Sequence, residues 1–219
     1  MTAEQEKFAG QRARMVEKQL KARAIRDPAV LEAMQIVPRE VFVPPSYRKY
    51  AYRDGPIPIP SRQTISQPYV VALMISALHL QPTDQVLEIG TGSGYAAAVL
   101  SRIVRAVHTV ERHEPLVHYA RQRLAGLGYH NVWVHHGDGT LGWPEHAPYD
   151  AIIVAAGGPD VPPSLRRQLA IGGRLVMPIG RHRRQQKLIR IIRHGPEEFT
   201  KKDLGAVAFV PLVGEEGWH

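Results

Sequence analysis

The chain has 219 residues, 44% of them hydrophobic and 22% charged, enough to bury the core of one sizeable domain. It contains no cysteine, so disulfides, thiolate metal sites and cysteine nucleophiles are excluded together. A formal net charge of +8 favours acidic partners in general and identifies none.

The first residues, MTAEQEKFAG, are charged and lack the apolar stretch of a secretory leader, and no apolar run approaches the roughly 20 residues of a membrane span, so a cytoplasmic protein is expected. Residues 4 to 24 place Phe8, Met15, Val16 and Leu20 at helical spacing among charged residues, an amphipathic surface helix. Asp27-Pro28 opens a second helix through about Gln35. Between Val37 and Pro60 recurring prolines force extended, turned or irregular backbone, read as a covering layer rather than core. The apolar run YVVALMISALHL predicts a buried helix over 68–79.

Strands and helices then alternate. Strands are predicted at 85–89, 106–110, 131–136, 149–155 and 172–179, with helices at 95–104, 114–127 and 163–170. Such repetition implies a parallel sheet with helices on both faces. Past Gly180, QKLIRIIRH (186–194) and GAVAFVPL (205–212) read as two further strands joined through a polar PEEFTKKD turn, an antiparallel pair closing one sheet edge. The organisation is one α/β domain, 1–219: N-terminal helices and a Pro-rich cover (1–67), a βα core (68–180) and C-terminal β segments (181–219). The densest basic stretch, Arg181-His182-Arg183-Arg184 followed by Lys187 and Arg190, reads as a solvated turn leading into a strand.

Strand QVLEI runs directly into Gly90-Thr91-Gly92-Ser93-Gly94 and then a helix. Glycines at such a turn let backbone approach a ligand closely, and the helix N-terminus favours negative or hydrogen-bond-accepting groups. A dinucleotide fingerprint needs a further glycine where this chain has Tyr95, which weakens a nicotinamide reading. Glu88 stands two residues before the first glycine, Glu111 ends the next strand, and Asp138-Gly139 follows the third. Each acid has a plain alternative: Glu88 a buried acid of the fold, Glu111 a helix N-terminal charge, Asp138 the start of an Asp-Gly turn. Three acids at consecutive strand ends, on the edge where ligands of open α/β sheets collect, together favour a nucleotide-like cofactor. The eleven histidines are scattered, and His135 and His136 are adjacent on a strand and face opposite ways, so no metal site is expected.

The pattern E-x-G-x-G-x-G, strand-end Glu and strand-end Asp resembles the S-adenosylmethionine-dependent methyltransferases, a doubly wound Rossmann-like sheet. More narrowly, QTISQP (63–68) upstream of LEIGTGSGY (87–95) resembles the protein-L-isoaspartate O-methyltransferase family. So do PREVFVPP, the segment from Tyr52 to Ile59, GDG (137–139), PYDAIIV, GGRLVMPIG and FVPL. That resemblance implies methyl esterification of the α-carboxyl of L-isoaspartyl residues in damaged proteins and peptides, with S-adenosyl-L-methionine as cofactor, no metal, and a monomer that uses neither membrane nor nucleic acid. It implies Ser66 as the catalytic position, and Gln63, Thr64, Ile65, Ser66, Glu88, Gly90, Gly92, Glu111, Arg112, Asp138 and Gly139 as cofactor contacts. From the residues alone, Ser66 reads instead as a helix N-cap ahead of Pro68.

Two stretches depart from the family pattern. Pro58-Ile59-Pro60-Ser61-Arg62 stands where the family usually has P-I-G-x-G, and Ala155-Ala156-Gly157-Gly158-Pro159 where it commonly has Thr-Ala-Ala-Pro. The competing functions are a nucleic-acid methyltransferase, favoured by charge, and a non-catalytic S-adenosylmethionine- or RNA-binding protein that retains the fold. Against the former, there is no cysteine for attack on a pyrimidine carbon and no [DN]-P-P-[YF] loop after the fourth strand of the βα series.

Overall fold

The structure, a computed structural model, describes residues 2–182 and 185–218. Arg183 and Arg184 of the basic stretch lie outside the described residues.

Helix α1 (Ala3–Met15) opens with a capping box: the Thr2 hydroxyl accepts from the Gln5 N–H, and the Gln5 side chain accepts from the Thr2 N–H. The expected single helix to residue 24 instead widens and then tightens, through a π-helical turn (Val16–Leu20) and a 3-10 turn (Lys21–Arg23) ending at left-handed Ala24. Asp27 caps α2 (Pro28–Ile36), its carboxylate accepting from the N–H groups of Ala29 and Val30. The proline-rich stretch that follows forms 3-10 turns over Arg39–Phe42 and Pro45–Tyr50. Here the expectation of a mere cover is corrected, because Val37, Phe42, Val43 and Ala51 are wholly buried and belong to the main core. Proline forbids long regular elements without forbidding burial, and short turns place these side chains inward.

A two-stranded hairpin follows, β1 (Ile57–Ile59) against β2 (Gln63–Ile65), with Ile59 opposite Gln63. Its turn holds Ser61 and Arg62 at φ values of 60° and 57°, left-handed backbone that non-glycine residues seldom adopt. Helix α3 (Pro68–Ala77) leads to β3 (Gln85–Ile89), α4 (Tyr95–Ser101), β4 (Ala106–Glu111), α5 (Glu114–Gly126), β5 (Val132–His136), β6 (Tyr149–Val154), α6 (Pro163–Gln168), β7 (Leu169–His182), β8 (Gln185–Arg193) and β9 (Phe199–Val207). The seven strands from β3 onward form one sheet in the order β5-β4-β3-β6-β7-β8-β9. The pairs β3–β4, β4–β5, β3–β6 and β6–β7 are parallel, and β7–β8 and β8–β9 antiparallel. The antiparallel edge is as expected, but its last strand is not where apolarity put it. β9 occupies much of the supposed polar turn, Thr200, Lys201, Lys202 and Asp203 are exposed, and Pro211 makes only an isolated bridge to Gly157. An outer strand wetted on both sides carries no apolar alternation to betray it.

Alternate residues of the strands enter two clusters. Val86, Val107 and Ile153 pack with α1 to α5 on one face, and Leu87, Val110 and Ile152 pack with α6 on the other. The helical cover is therefore lopsided, with one short helix on the second face. Strand order reverses between β3 and β6, and that crevice is the place where a ligand of such a sheet is expected.

Candidate active site

At the reversal, Gly90, Gly92 and Gly94 all have positive φ (91°, 55° and 89°), so the turn from β3 to α4 has a shape reserved for glycine. A methyl group on Gly90 would lie 3.5 Å from Ala155 Cβ, just past β6, and one on Gly92 would lie 3.4 Å from Ile59 Cδ1. The β1–β2 hairpin thus rests on the glycine turn and roofs it.

Glu111 ends β4 with both oxygens held by backbone. Oε2 accepts from the Gly92 N–H at 2.9 Å and Oε1 from the His113 N–H at 3.0 Å. Each oxygen keeps a lone pair, and the carboxylate lines the pocket, a suitable acceptor pair for vicinal hydroxyls. Glu88 is buried beneath, where its Oε2 accepts from Thr109 Oγ1 at 2.5 Å, and that hydroxyl lies 2.6 Å from Thr91 Oγ1. Burial pushes the Glu88 carboxyl up to about 8, the Thr109 hydrogen bond opposes the shift, and the Glu111 charge adds to it. At neutral pH Glu88 is therefore the protonated acid of the pair.

Gln63, Thr64, Ile65 and Ser66 form one wall, with the Gln63 amide tied back to the Ser61 carbonyl at 3.1 Å. The N-cap of α3 is Gln67, not Ser66, and no side chain caps the helix. The capping alternative for Ser66 is corrected: it stands one residue before the N-cap, makes no capping hydrogen bond, and lines the cavity. Its carbonyl accepts from Arg39 Nη2 at 2.7 Å. Arg39 is wholly buried, also donates from Nε to the Ala51 carbonyl at 2.7 Å, and stacks 4.8 Å from the centre of the Tyr95 ring, which lines the same pocket.

Ten of the eleven residues expected at the cofactor line a cavity of about 350 Å³; Asp138 does not. Asp138 Oδ1 accepts from the Thr140 N–H and hydroxyl, and Oδ2 from the Glu215 N–H. Burial pushes this carboxyl up, but those donors outweigh it and hold it below its ordinary value. Its role here is to pin residues 214–218 to the loop after β5. Gly139 does face the pocket, and a methyl group there would come within 2.4 Å of Ile89 Cγ2. Sequence reasoning missed Tyr95, His113 and the segment Val210–Val213, all of which line the cavity. FVPL was the only sign of the last, and it was read as a strand.

A second cavity, about 500 Å³, abuts the first and is lined by Pro56, Thr64, Ser66, Gln67, Val70, Ala155 and Ala206 to Val210. The two share Thr64, Ser66, Ala155 and Val210. A glycine turn held at positive φ, a carboxylate placed for hydroxyls and an adjoining groove fit a nucleoside-type ligand beside an extended chain. Among the described residues no three histidine or acidic side chains converge to hold a metal.

The family described as protein-L-isoaspartate(D-aspartate) O-methyltransferase matches residues 10–217. The protein-L-isoaspartate O-methyltransferase 2 of Pelobacter propionicus is 62% identical over 93% of this chain and 91% of its own. A protein-L-isoaspartate O-methyltransferase of Rhodopseudomonas palustris is 59% identical over 94% of each. A Plasmodium falciparum structure described by the same activity, in complex with S-adenosyl-L-homocysteine, superposes with a TM-score of 0.80 at 26% identity, over 92% of this chain and 98% of that one. With a match running nearly end to end and relatives more than half identical, the chain belongs to the protein-L-isoaspartate(D-aspartate) O-methyltransferase family.

Proposed function

We propose that this protein methylates the α-carboxyl of L-isoaspartyl residues in damaged proteins and peptides. One observation carries the reading: the glycine-lined pocket and an open groove meet along Thr64, Ser66, Ala155 and Val210, so two reactants can touch where Ser66 stands. When bound, S-adenosyl-L-methionine supplies an electrophilic methyl group on a sulfonium, which a carboxylate oxygen takes up as the carbon–sulfur pair returns to sulfur.

The chain's own residues bind and align. Glu111 receives the ribose hydroxyls, Gly90, Gly92 and Gly139 leave room for close approach, and Arg112 borders the same pocket. The Ser66 hydroxyl donates to the substrate carboxylate. That carboxylate, with an ordinary pKa of about 4, is already ionised at neutral pH and needs no general base. This explains why the pocket's buried acid, Glu88, can remain protonated. Because a negative and a positive charge merge in the transition state, a site that excludes water and orders the partners supplies the acceleration, and the hairpin over the glycine turn does both. The ester formed is activated toward cyclisation to a succinimide, whose hydrolysis returns part of the material to aspartate.

The reading takes residues 1–219 as one domain acting as a monomer in the cytoplasm on protein rather than nucleic acid. Its support on the last point is the loop after β6, where Ala155 and Ala156 line the cofactor pocket and no polar side chain is presented to a base. No helix among the described residues is long and apolar enough to cross a membrane. The test is methyl transfer from labelled S-adenosyl-L-methionine to matched peptides carrying L-isoaspartate or L-aspartate. Base-labile label on the isoaspartyl peptide alone is expected; label on neither, or on RNA instead, would refute the assignment.

A further inference from the structure

Arg39 is an oddity of the core. Its guanidinium is wholly buried, yet it takes part in no ion pair among the described residues. The neighbouring Glu40 carboxylate is engaged by the Tyr52 hydroxyl and by Arg12 instead. Nε and Nη2 donate to the carbonyls of Ala51 and Ser66, the face of Tyr95 lies against the plane, and Nη1 has no acceptor in hydrogen-bond geometry. Burying a charge without a counter-ion is costly, and a guanidinium does not escape the cost by losing its proton. A buried cation left uncompensated beside a ligand site is accounted for if the counter-ion arrives with the ligand.

We infer that Arg39 is the positive charge that draws the substrate carboxylate to Ser66 while fixing the Ser66 backbone, a positioning residue that touches neither reactant. The inference rests on the methyl-transfer reading above. It has a kinetic signature. The carboxylate loses its charge as the ester forms, so attraction to Arg39 is stronger in the ground state than in the transition state. The charge therefore acts on peptide binding rather than on the chemical step, and it favours exchange of neutral ester product for a fresh carboxylate. Charges about 8–10 Å apart in a protein of effective dielectric near 20 correspond to roughly tenfold to thirtyfold in affinity. The hydrogen bonds to Ser66 and Ala51 act separately, on alignment and hence on kcat.

The experiment measures peptide affinity with S-adenosyl-L-homocysteine bound, for an isoaspartyl peptide and for the same peptide with that α-carboxyl converted to carboxamide. Wild type, Arg39→Met and Arg39→Lys are compared, with methyl transfer assayed alongside. Wild type is expected to prefer the carboxylate by roughly tenfold or more, Arg39→Met to lose most of that preference, and Arg39→Lys to keep it while kcat falls. Equal weakening of both peptides in Arg39→Met would overturn the inference, as would full preference retained in that variant. Should Arg39→Met not fold, absence of carboxylate preference in the wild type, or its loss in Arg39→Lys, is equally decisive against it. If the wild type forms no ester on the isoaspartyl peptide, the reaction reading falls and this inference with it. Ester formation without carboxylate preference sinks the inference alone.

Discussion

Replacing Glu88 by Gln tests the electrostatics of the pocket floor directly. Glu88 is 1% exposed, and burial raises its carboxyl from an ordinary 4.5 to about 8. An acid whose folded-state pKa is raised binds its proton more tightly in the native protein, so unfolding releases that proton throughout the window between the two values. Its contribution to stability is thus fully present below pH 4.5, declines as pH rises, and is lost above about 8. Each pH unit inside the window removes up to about 1.4 kcal/mol. Glutamine keeps an acceptor for the Thr109 hydroxyl and cannot ionise, so its stability lacks this slope. Denaturant unfolding of both proteins without cofactor, followed by tryptophan fluorescence, isolates the term, because all other titrations cancel in the difference. Between pH 5.5 and 8.5 the stability of Glu88→Gln relative to wild type is expected to rise by about 3 kcal/mol. A gap constant to within about 0.5 kcal/mol across that range would show that Glu88 is ionised in the folded protein and that the argument from desolvation is wrong.

Ser66→Ala is expected to leave unfolding free energy within about 0.5 kcal/mol of wild type, because the hydroxyl caps no helix, while turnover of isoaspartyl peptide falls roughly tenfold or more. A loss of stability matching the loss of rate would return Ser66 to a structural role. Gly139→Ala, whose methyl must displace Ile89 Cγ2, is expected to cost about 1–3 kcal/mol in denaturant unfolding and to weaken cofactor binding in calorimetry. Asp84→Asn weakens the 2.6 Å pair with Arg174, which also binds the carbonyls of Leu78, His79 and Asp150, and is expected to cost about 1–3 kcal/mol with cofactor affinity unchanged.

The βα series was legible because each unit is local: QVLEI is strand β3 to the residue, and the glycines after it have the φ values only their composition allows. Glu111 was legible for the same reason, since the end of a strand beside the switch point is fixed by topology. What escaped depends on contacts far apart in the chain. Phe42 is buried edge-on against Tyr95 of α4, with ring centres 5.7 Å apart, a contact that the prolines around it do not announce. β9 shows no alternation because Thr200 to Asp203 are all exposed, and only Phe199, Leu204 and Val207 reach the core clusters. The Asp138 carboxylate looked available, yet Thr140 takes one oxygen and Glu215, 77 positions later, the other. Ser66 reads as a cap because a serine two residues ahead of a proline-led helix is easily placed one position off, and the bond from Arg39 to its carbonyl spans 27 residues.

Residues 210–218 finish the wall of the cofactor pocket and lock its far loop, with Val213 in the lining, Trp218 Nε1 donating to the Gly157 carbonyl and Glu216 accepting from Ser164. One short segment therefore couples the pocket wall to two distant loops, so that a cut or a loosened bond within it would open the cavity and release the loop after β5 together.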